Sequence, residues 1–254
     1  MRGLRVAVSL LTRVPVGGAG SGSADFARAV PWFPVVGALV GLALAGSYAG
    51  LLLVFPSLVA AGLTLGLSLF LTGALHEDGL ADTADALGGG RNREDALRIL
   101  NDPVHGTYGV LSIVLSVILR VAALAPLDGW TAAAVLPGAH ALSRGAAVVL
   151  LGVLRPAAEQ GLGASYATAT TRREAALGVA AALAAGLVAL GGWVLPAALL
   201  AALGAGAVGV LSTRRIGGIT GDVLGAAQQV VEVLVLLLGA AAVAGGWPSP
   251  AWWR

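Results

Sequence analysis

Seven of the thirteen acidic residues fall between Glu77 and Asp102, and their densest run reads His76-Glu77-Asp78-Gly79-Leu80-Ala81-Asp82-Thr83-Ala84-Asp85. Asp78, Asp82 and Asp85 recur at i, i+4 and i+7, which sets them on one face of a helix. Carboxylates stacked on one stripe repel each other unless a cation lies between them. Hard oxygen ligands suit Mg²⁺, which keeps several waters and is completed by substrate phosphates. The spacing therefore predicts metal ligation by Asp78, Asp82 and Asp85; the alternative is a solvated helix face. Glu77 projects about 100° away from Asp78 and is the weaker ligand. Gly79 leaves room beside an ion for a phosphate, and His76 is placed to orient a carboxylate or a substrate. Downstream, Asn92 to Leu100 reads as a capped, charged helix. Asp102 is either a further ligand or a helix cap.

A second polar constellation is Arg214-Arg215-Ile216-Gly217-Gly218-Ile219-Thr220-Gly221-Asp222. A Gly-rich turn that opens a helix aims backbone N–H groups at an anion. Gly217, Gly218 and Thr220 would form that cradle, and Arg214 and Arg215 would add phosphate-matching forks. Asp222 is a helix cap or a free carboxylate able to take a proton. Gln229 and Glu232 follow on nearly the same face. Arg120 and Arg144 lie inside apolar runs, where a cation needs a partner or an aqueous cleft. Each either neutralises substrate phosphate or pairs with an interior acid; pairing is favoured for Arg120, and Arg144 is read as a substrate contact.

These groups are embedded in hydrocarbon. The chain has 254 residues, 57% of them apolar and 11% charged, and a mean hydropathy of +0.89. A soluble domain is nearer 45–50% apolar and about 25% charged. The composition predicts an all-α, polytopic transmembrane helical bundle forming one integral membrane domain over residues 1–254. Spans are expected near 32–55, 58–75, 108–125, 130–154, 175–194, 197–211 and 223–244, which makes seven, with six or eight as alternatives. A short amphipathic surface helix is expected over residues 2–13. The apolar stretch inside it is too short and interrupted for a signal peptide. With the N-terminus in the cytoplasm, Arg2, Arg5, Arg13, Arg28, Arg91, Arg93, Arg98, Arg155, Arg172, Arg173, Arg214 and Arg215 all fall inside. The outer turns near Pro56, Asp128 and Gly192 carry no Arg, and only Arg254 falls outside. This is the positive-inside pattern, and it puts the acidic segment at 76–107 and the Gly-rich turn at 212–222 on one cytoplasmic side. Gly pairs four apart, at 37/41, 46/50 and 62/66, are read as helix-packing contacts. Flexible or polar loops are expected over residues 17–23 and 156–171. Cysteine is absent, which excludes disulfides and thiolate metal sites. No basic stripe suited to a nucleic-acid partner is present.

The motifs resemble those of the cobalamin synthase family, the adenosylcobinamide-GDP ribazoletransferases. The resemblance rests on Thr12-Arg13-Val14-Pro15-Val16, the string from His76 to Ala86, Asp102-Pro103 with Gly106-Thr107-Tyr108-Gly109, and the segment from Gly217 to Ala226. They occur in the family's order and cover most of the chain. This sequence departs from the family by Asn101, where a basic residue often precedes Asp102. The resemblance implies a multi-pass, Mg²⁺-dependent enzyme of the bacterial or archaeal cytoplasmic (inner) membrane. It would join adenosylcobinamide-GDP to α-ribazole or its 5′-phosphate and release GMP on the cytoplasmic side. Asp82, Asp222 and His76 would be catalytic; Asp78, Asp82, Asp85 and Asp102 would hold metal; Arg13, Arg144, Arg214, Arg215, Gly217, Gly218 and Thr220 would contact substrate. Membrane lipid would surround it, and a homo-oligomer or a complex with other cobalamin-assembly enzymes fits the same picture. The rival classes are a lipid phosphotransferase of the CDP-alcohol type, a polyprenyl transferase and a transporter. The acidic string lacks the first family's spacing, the second constellation is Gly-rich where a polyprenyl transferase would repeat its Asp motif, and a transporter would carry its acids near mid-membrane.

Overall fold

The structure, a computed structural model, describes residues 2–16, 22–157, 161–250 and 252. The loop expected over 17–23 lies mainly outside these residues, as do 158–160 of the later polar loop and Arg254. Helix α1 (Arg2–Leu11) is amphipathic as expected: Gly3, Val6, Ala7 and Leu11 are buried, and Arg2 and Arg5 are exposed. It is tied to α2 (Ser23–Ala29) by an ion pair of 3.1 Å between Arg2 and Asp25. The chain then builds α3 (Phe33–Leu51), α4 (Ser57–Thr72), α5 (Leu75–Gly89), α6 (Arg93–Ile99), α7 (Thr107–Leu124), α8 (Gly129–Val153), α9 (Leu162–Ala169), α10 (Arg172–Leu190), α11 (Val194–Ile216) and α12 (Gly221–Ala244). Among the described residues the only extended pairing is one isolated bridge between Pro156 and Ile219. The all-α expectation holds.

Five helical runs are long and apolar enough to cross a membrane, namely 24–51, 107–124, 129–153, 172–216 and 221–244; α4 qualifies jointly with α5, from which it is bent by 89°. The run 172–216 has 45 residues and would measure about 68 Å if straight, roughly twice the hydrocarbon thickness of ~30 Å. It is broken at Gly191, where φ is +52°, and both α10 and α11 pack on α8. The run is therefore a helical hairpin. With α4 as a further crossing the bundle has seven. Helix α5 is not counted among them: it turns sharply off α4 and carries His76, Glu77, Asp78, Asp82 and Asp85.

Helix α8 is the central post, buried over nearly its whole length. Small residues bring its neighbours close. A Cβ on Gly41 would stand 2.6 Å from the Leu136 carbonyl oxygen, and one on Gly37 would collide with the His140 backbone, so α3 docks on α8 through these glycines. The other two Gly pairs behave differently from expectation. Gly46, Gly50, Gly62 and Gly66 face open space, on helix surfaces that also expose Leu39, Leu42, Leu63 and Leu67. An apolar outer surface needs no partner when its solvent is lipid.

Candidate active site

The site is assembled where α5 meets the starts of α7 and α12. Its first requirement is the sharp turn from α4 into α5. Gly73 (φ +67°) and Ala74 (φ +55°) are both left-handed, a conformation that glycine enters freely and alanine only at a cost. Arg13 holds the turn: its backbone N–H donates to the Leu71 carbonyl at 2.7 Å, and its guanidinium lies over Gly73, where a Cβ would collide with it. The residue expected to contact substrate therefore fixes the entry of α5.

The second requirement is a close crossing of α5 and α12. A Cβ on Gly79 would lie 2.8 Å from the Asp222 carbonyl oxygen and 3.0 Å from its Cα, and Gly225 faces the backbone of His76 and Gly79 in return. The space that Gly79 was expected to leave for a phosphate is filled by α12. The consequence is that Asp222 arrives beside the aspartate stripe. Thr220 caps α12, accepting from the Val223 N–H at 3.3 Å, and its hydroxyl donates to Asp222 Oδ2 at 3.3 Å.

The third requirement is the loop leading into α7. Asp85 accepts from the Gly106 N–H at 2.6 Å and the Gly109 N–H at 2.9 Å. Both carboxylate oxygens are thus engaged by backbone, so Asp85, expected as a metal ligand, acts here as the anchor of this loop. The anchored loop inserts His105 between two other acids of the stripe. His105 Nε2 stands 3.6 Å from Asp78 Oδ1, and His105 Nδ1 stands 3.2 Å from Asp82 Oδ1. Asp102 is exposed and accepts from the Val104 N–H at 3.0 Å, the geometry of an Asx turn. It is neither a helix cap nor part of the cavity lining.

Burial, with Asp78 and Asp222 nearby, pushes the Asp82 carboxyl up to about 6, against the opposing pull of His105. The donors that converge here, Asp78, Asp82, Asp222 and the Thr220 hydroxyl, are all hard oxygens. Such a set fits Mg²⁺ and not a softer ion. Among the described residues no three acid or imidazole side chains are already gathered closely enough to ligate one ion.

Behind these carboxylates opens a cavity of about 330 Å³ lined by His76, Asp78, Asn101, Thr220, Gly221, Asp222 and Gln228 on its polar side, and by Leu11, Phe33, Leu97, Leu100, Leu151 and Tyr166 on its apolar side. Two of the catalytic candidates, His76 and Asp222, line it directly, and Asp82 is electrostatically joined to it through Asp78 and Asp222. A larger groove of about 620 Å³ runs between α8, α10 and α11, but its lining is almost wholly apolar and contains no acid.

Several expected substrate contacts are placed elsewhere. Arg144 is buried in an ion network, with Nη1 at 2.8 Å from Glu232 Oε2 and 2.9 Å from His140 Nδ1. Arg120 pairs with interior acids as expected, 2.9 Å from Glu77 Oε1 and 3.3 Å from Glu232 Oε1. Gln229 donates to Glu77 at 3.0 Å. Arg214 and Arg215 are exposed at the end of α11, and Arg214 borders the apolar groove. Gly217, at φ +86°, ends α11, and Gly218 lets the chain pass against the Arg155 carbonyl. Two amides of the presumed cradle are already committed, Gly217 N–H to Thr213 and Ile219 N–H to Arg155. Arg93, which sequence reasoning left on a solvated face, clamps this turn by donating to the Ile216 and Ala157 carbonyls at 2.8 and 2.9 Å. The active part of the Gly-rich segment is therefore its end, Thr220 to Asp222.

Residues 3–240 match the family described as cobalamin-5-phosphate synthase. The chain belongs to that family. Among its relatives, the adenosylcobinamide-GDP ribazoletransferase of Bradyrhizobium diazoefficiens is 43% identical over 244 residues, covering 94% of this chain and 93% of the relative. That of Ralstonia nicotianae is 43% identical over 92% of this chain and 93% of its own length, and that of Chlorobium phaeobacteroides 38% over 94% and 97%. No solved structure matches. The family's motifs are the segments that meet in space: the acidic string is α5, the segment 102–109 is the loop that carries His105, and 217–226 opens α12.

Proposed function

We propose that this chain is an adenosylcobinamide-GDP ribazoletransferase, which joins the activated corrinoid to α-ribazole or its 5′-phosphate and releases GMP. The observation that carries the reading is that Asp78 and Asp222 share the polar edge of a ligand-sized cavity, with Asp82 near enough to couple electrostatically to both, in a chain matching the family over residues 3–240. The site opens on the side of the bundle that bears most of the arginines, which supports a cytoplasmic active site in the inner membrane. The polypeptide forms one integral membrane domain, alone or as a homo-oligomer or complex with other cobalamin-assembly enzymes.

In the reaction a secondary ribose hydroxyl oxygen, free in both α-ribazole and its 5′-phosphate, bonds to the phosphorus next to cobinamide. The phosphoanhydride bond to GMP breaks, and the hydroxyl proton passes to a carboxylate. Such a displacement needs positioning and charge neutralisation more than covalent chemistry. Mg²⁺ held by Asp78 and Asp82 would neutralise the diphosphate and the charge that develops on the leaving oxygen. Asp222, outside that pair, is the carboxylate placed to take the proton. His105 fixes the spacing of Asp78 and Asp82. Thr220 orients Asp222. His76 is buried in the cavity wall.

The test is turnover by the purified full-length protein in lipid nanodiscs. With adenosylcobinamide-GDP, α-ribazole and Mg²⁺ it releases GMP and forms adenosylcobalamin, and chelation of divalent ions stops it. Absence of GMP release by folded protein would reject the assignment.

A further inference from the structure

We infer that the cavity beside the carboxylates seats the benzimidazole base and ribose of ribazole, and that the corrinoid nucleotide reaches the same carboxylates from outside it. The inference rests on the transferase reading above. The cavity is two-sided. Asp78, Thr220 and Asp222 form a polar mouth, and hydrocarbon from Leu11, Phe33 and Leu151 forms the inner wall, with the Tyr166 ring beside it. That ring is 4% exposed and braced by aromatic neighbours, with centroids 5.5 Å from Phe33 and 4.7 Å from Phe26, so it makes this part of the wall rigid.

One polar atom of a lining residue, Gln228 Oε1, is buried without a hydrogen-bond partner, in a residue 5% exposed. A buried polar group left unpaired costs about 1–3 kcal/mol, so it is poised for a ligand that brings a donor. Ribazole does so: a ribose hydroxyl can donate to Gln228. Most of the base, including its two methyl groups, needs only apolar contact.

The other substrate fits poorly. At about 330 Å³ the cavity lies at the lower end of the ~300–1,000 Å³ typical of ligand sites; that suits a nucleoside and excludes a corrin ring with its amide side chains. Guanine would enter in size, but with its base against the inner hydrocarbon wall its polar edge would be desolvated against leucine. With the base inside, the sugar of ribazole is left towards the mouth, its reacting secondary hydroxyl on the side of Asp78 and Asp222.

The experiment measures GMP release by the holoenzyme with Mg²⁺ while each substrate is varied in turn. Gln228→Leu and Tyr166→Leu should each raise the KM for α-ribazole by about tenfold, the scale of one lost buried contact, and leave the KM for adenosylcobinamide-GDP within twofold of wild type. Free 5,6-dimethylbenzimidazole should inhibit wild-type enzyme competitively against α-ribazole and not against the corrinoid, and guanosine should not compete with α-ribazole. This inhibition pattern decides the matter if the variants fail to fold. An active wild type whose corrinoid KM alone responds to the variants, or in which guanosine competes with ribazole and the free base does not, overturns the cavity assignment and leaves the transferase reading intact. A folded wild type that releases no GMP overturns both.

Discussion

Glu77 and Asp78 are adjacent in sequence and belong to opposite electrostatic regimes. Glu77 faces the interior, where two acids, Glu77 and Glu232, meet two arginines, Arg120 and Arg144, with His140, Ser143 and Gln229 completing the contacts. This set is charge-balanced, with Glu77 Oε2, Arg120 Nε and Nη2 and Arg144 Nε buried without a hydrogen-bond partner. Asp78 faces the cavity, where Asp222 lines the same wall, Asp82 couples to both, and no arginine is in the lining. Only His105 stands between two of its carboxylates. One helix thus separates the charges that hold the bundle from the charges that remain to be neutralised, and it does so with the ~100° step between consecutive residues. Removing a charge should have opposite consequences on the two sides.

The largest contrast is expected for Asp82→Ala. Turnover should fall by at least ~10³-fold, the scale seen when a group stabilising developing charge is lost. The melting temperature should hold or rise, because a carboxylate repelled by Asp78 and Asp222 has been removed. Near-normal GMP release from this variant would contradict the site. Glu232→Ala should do the reverse. It strands Arg144 in the apolar interior and leaves Arg120 with Glu77 alone, at a cost of about 3–5 kcal/mol, read as a lowered melting temperature and less protein in the membrane. Glu232→Leu combined with Arg144→Leu should recover part of the loss, since the pair is removed together. A Glu232→Ala protein that melts with wild type would show that the network contributes no stability.

Helical periodicity made much of this arrangement legible. It put the stripe of Asp78, Asp82 and Asp85 on one face, turned Glu77 away, and found the Asn92 cap, whose side chain accepts from the Asp95 N–H at 2.9 Å. Hydropathy gave the bundle and its seven crossings, and positioned Arg120 where it needed an acid. Periodicity reports which face a residue occupies and nothing about what that face meets. The missed features are therefore all contacts between distant segments. Asp85 reaches backbone amides 21 and 24 residues away, Gln229 reaches Glu77 across 152, and Arg93 clamps Ile216 across 123. The glycines mislead for the same reason: Gly79 suggested room for a ligand, and its neighbour is Asp222. The order of the segments puts His105 near the same interface as the Asp stripe, and the structure adds its two partners, Asp78 and Asp82.

Gly79→Ala sharpens the comparison at the seam between the regions. The new methyl would lie 2.8 Å from the Asp222 carbonyl oxygen, which is backbone and must shift. Overpacking of this kind costs about 1–3 kcal/mol, offset by roughly 1 kcal/mol of helix propensity, so the melting temperature should change little. Turnover should nonetheless drop by about 10²-fold, as expected when reacting groups are displaced by an ångström. Unchanged kcat would mean that the spacing of Asp222 from α5 is not critical.

The smallest effect should appear in the pH dependence of metal-free protein. Unfolded, Asp82 titrates near the ordinary aspartate value of 3.8; folded, it is raised to about 6 by burial and by Asp78 and Asp222. Between these values the folded state holds the proton that the unfolded state has released, so stability falls as pH rises through this window and levels off above it. The side chain is partly solvated, so screening limits the shift to a few degrees of melting temperature. Asp82→Asn should remove the step, and Mg²⁺ should cancel it in wild type above pH 6, where the carboxylates are charged and an ion can relieve their repulsion. A melting temperature that climbs from pH 4 to pH 6 without metal, or a step that survives in Asp82→Asn, would show that the carboxylates of the cavity are as well compensated as those of the interior, and the distinction between the two regions would be lost.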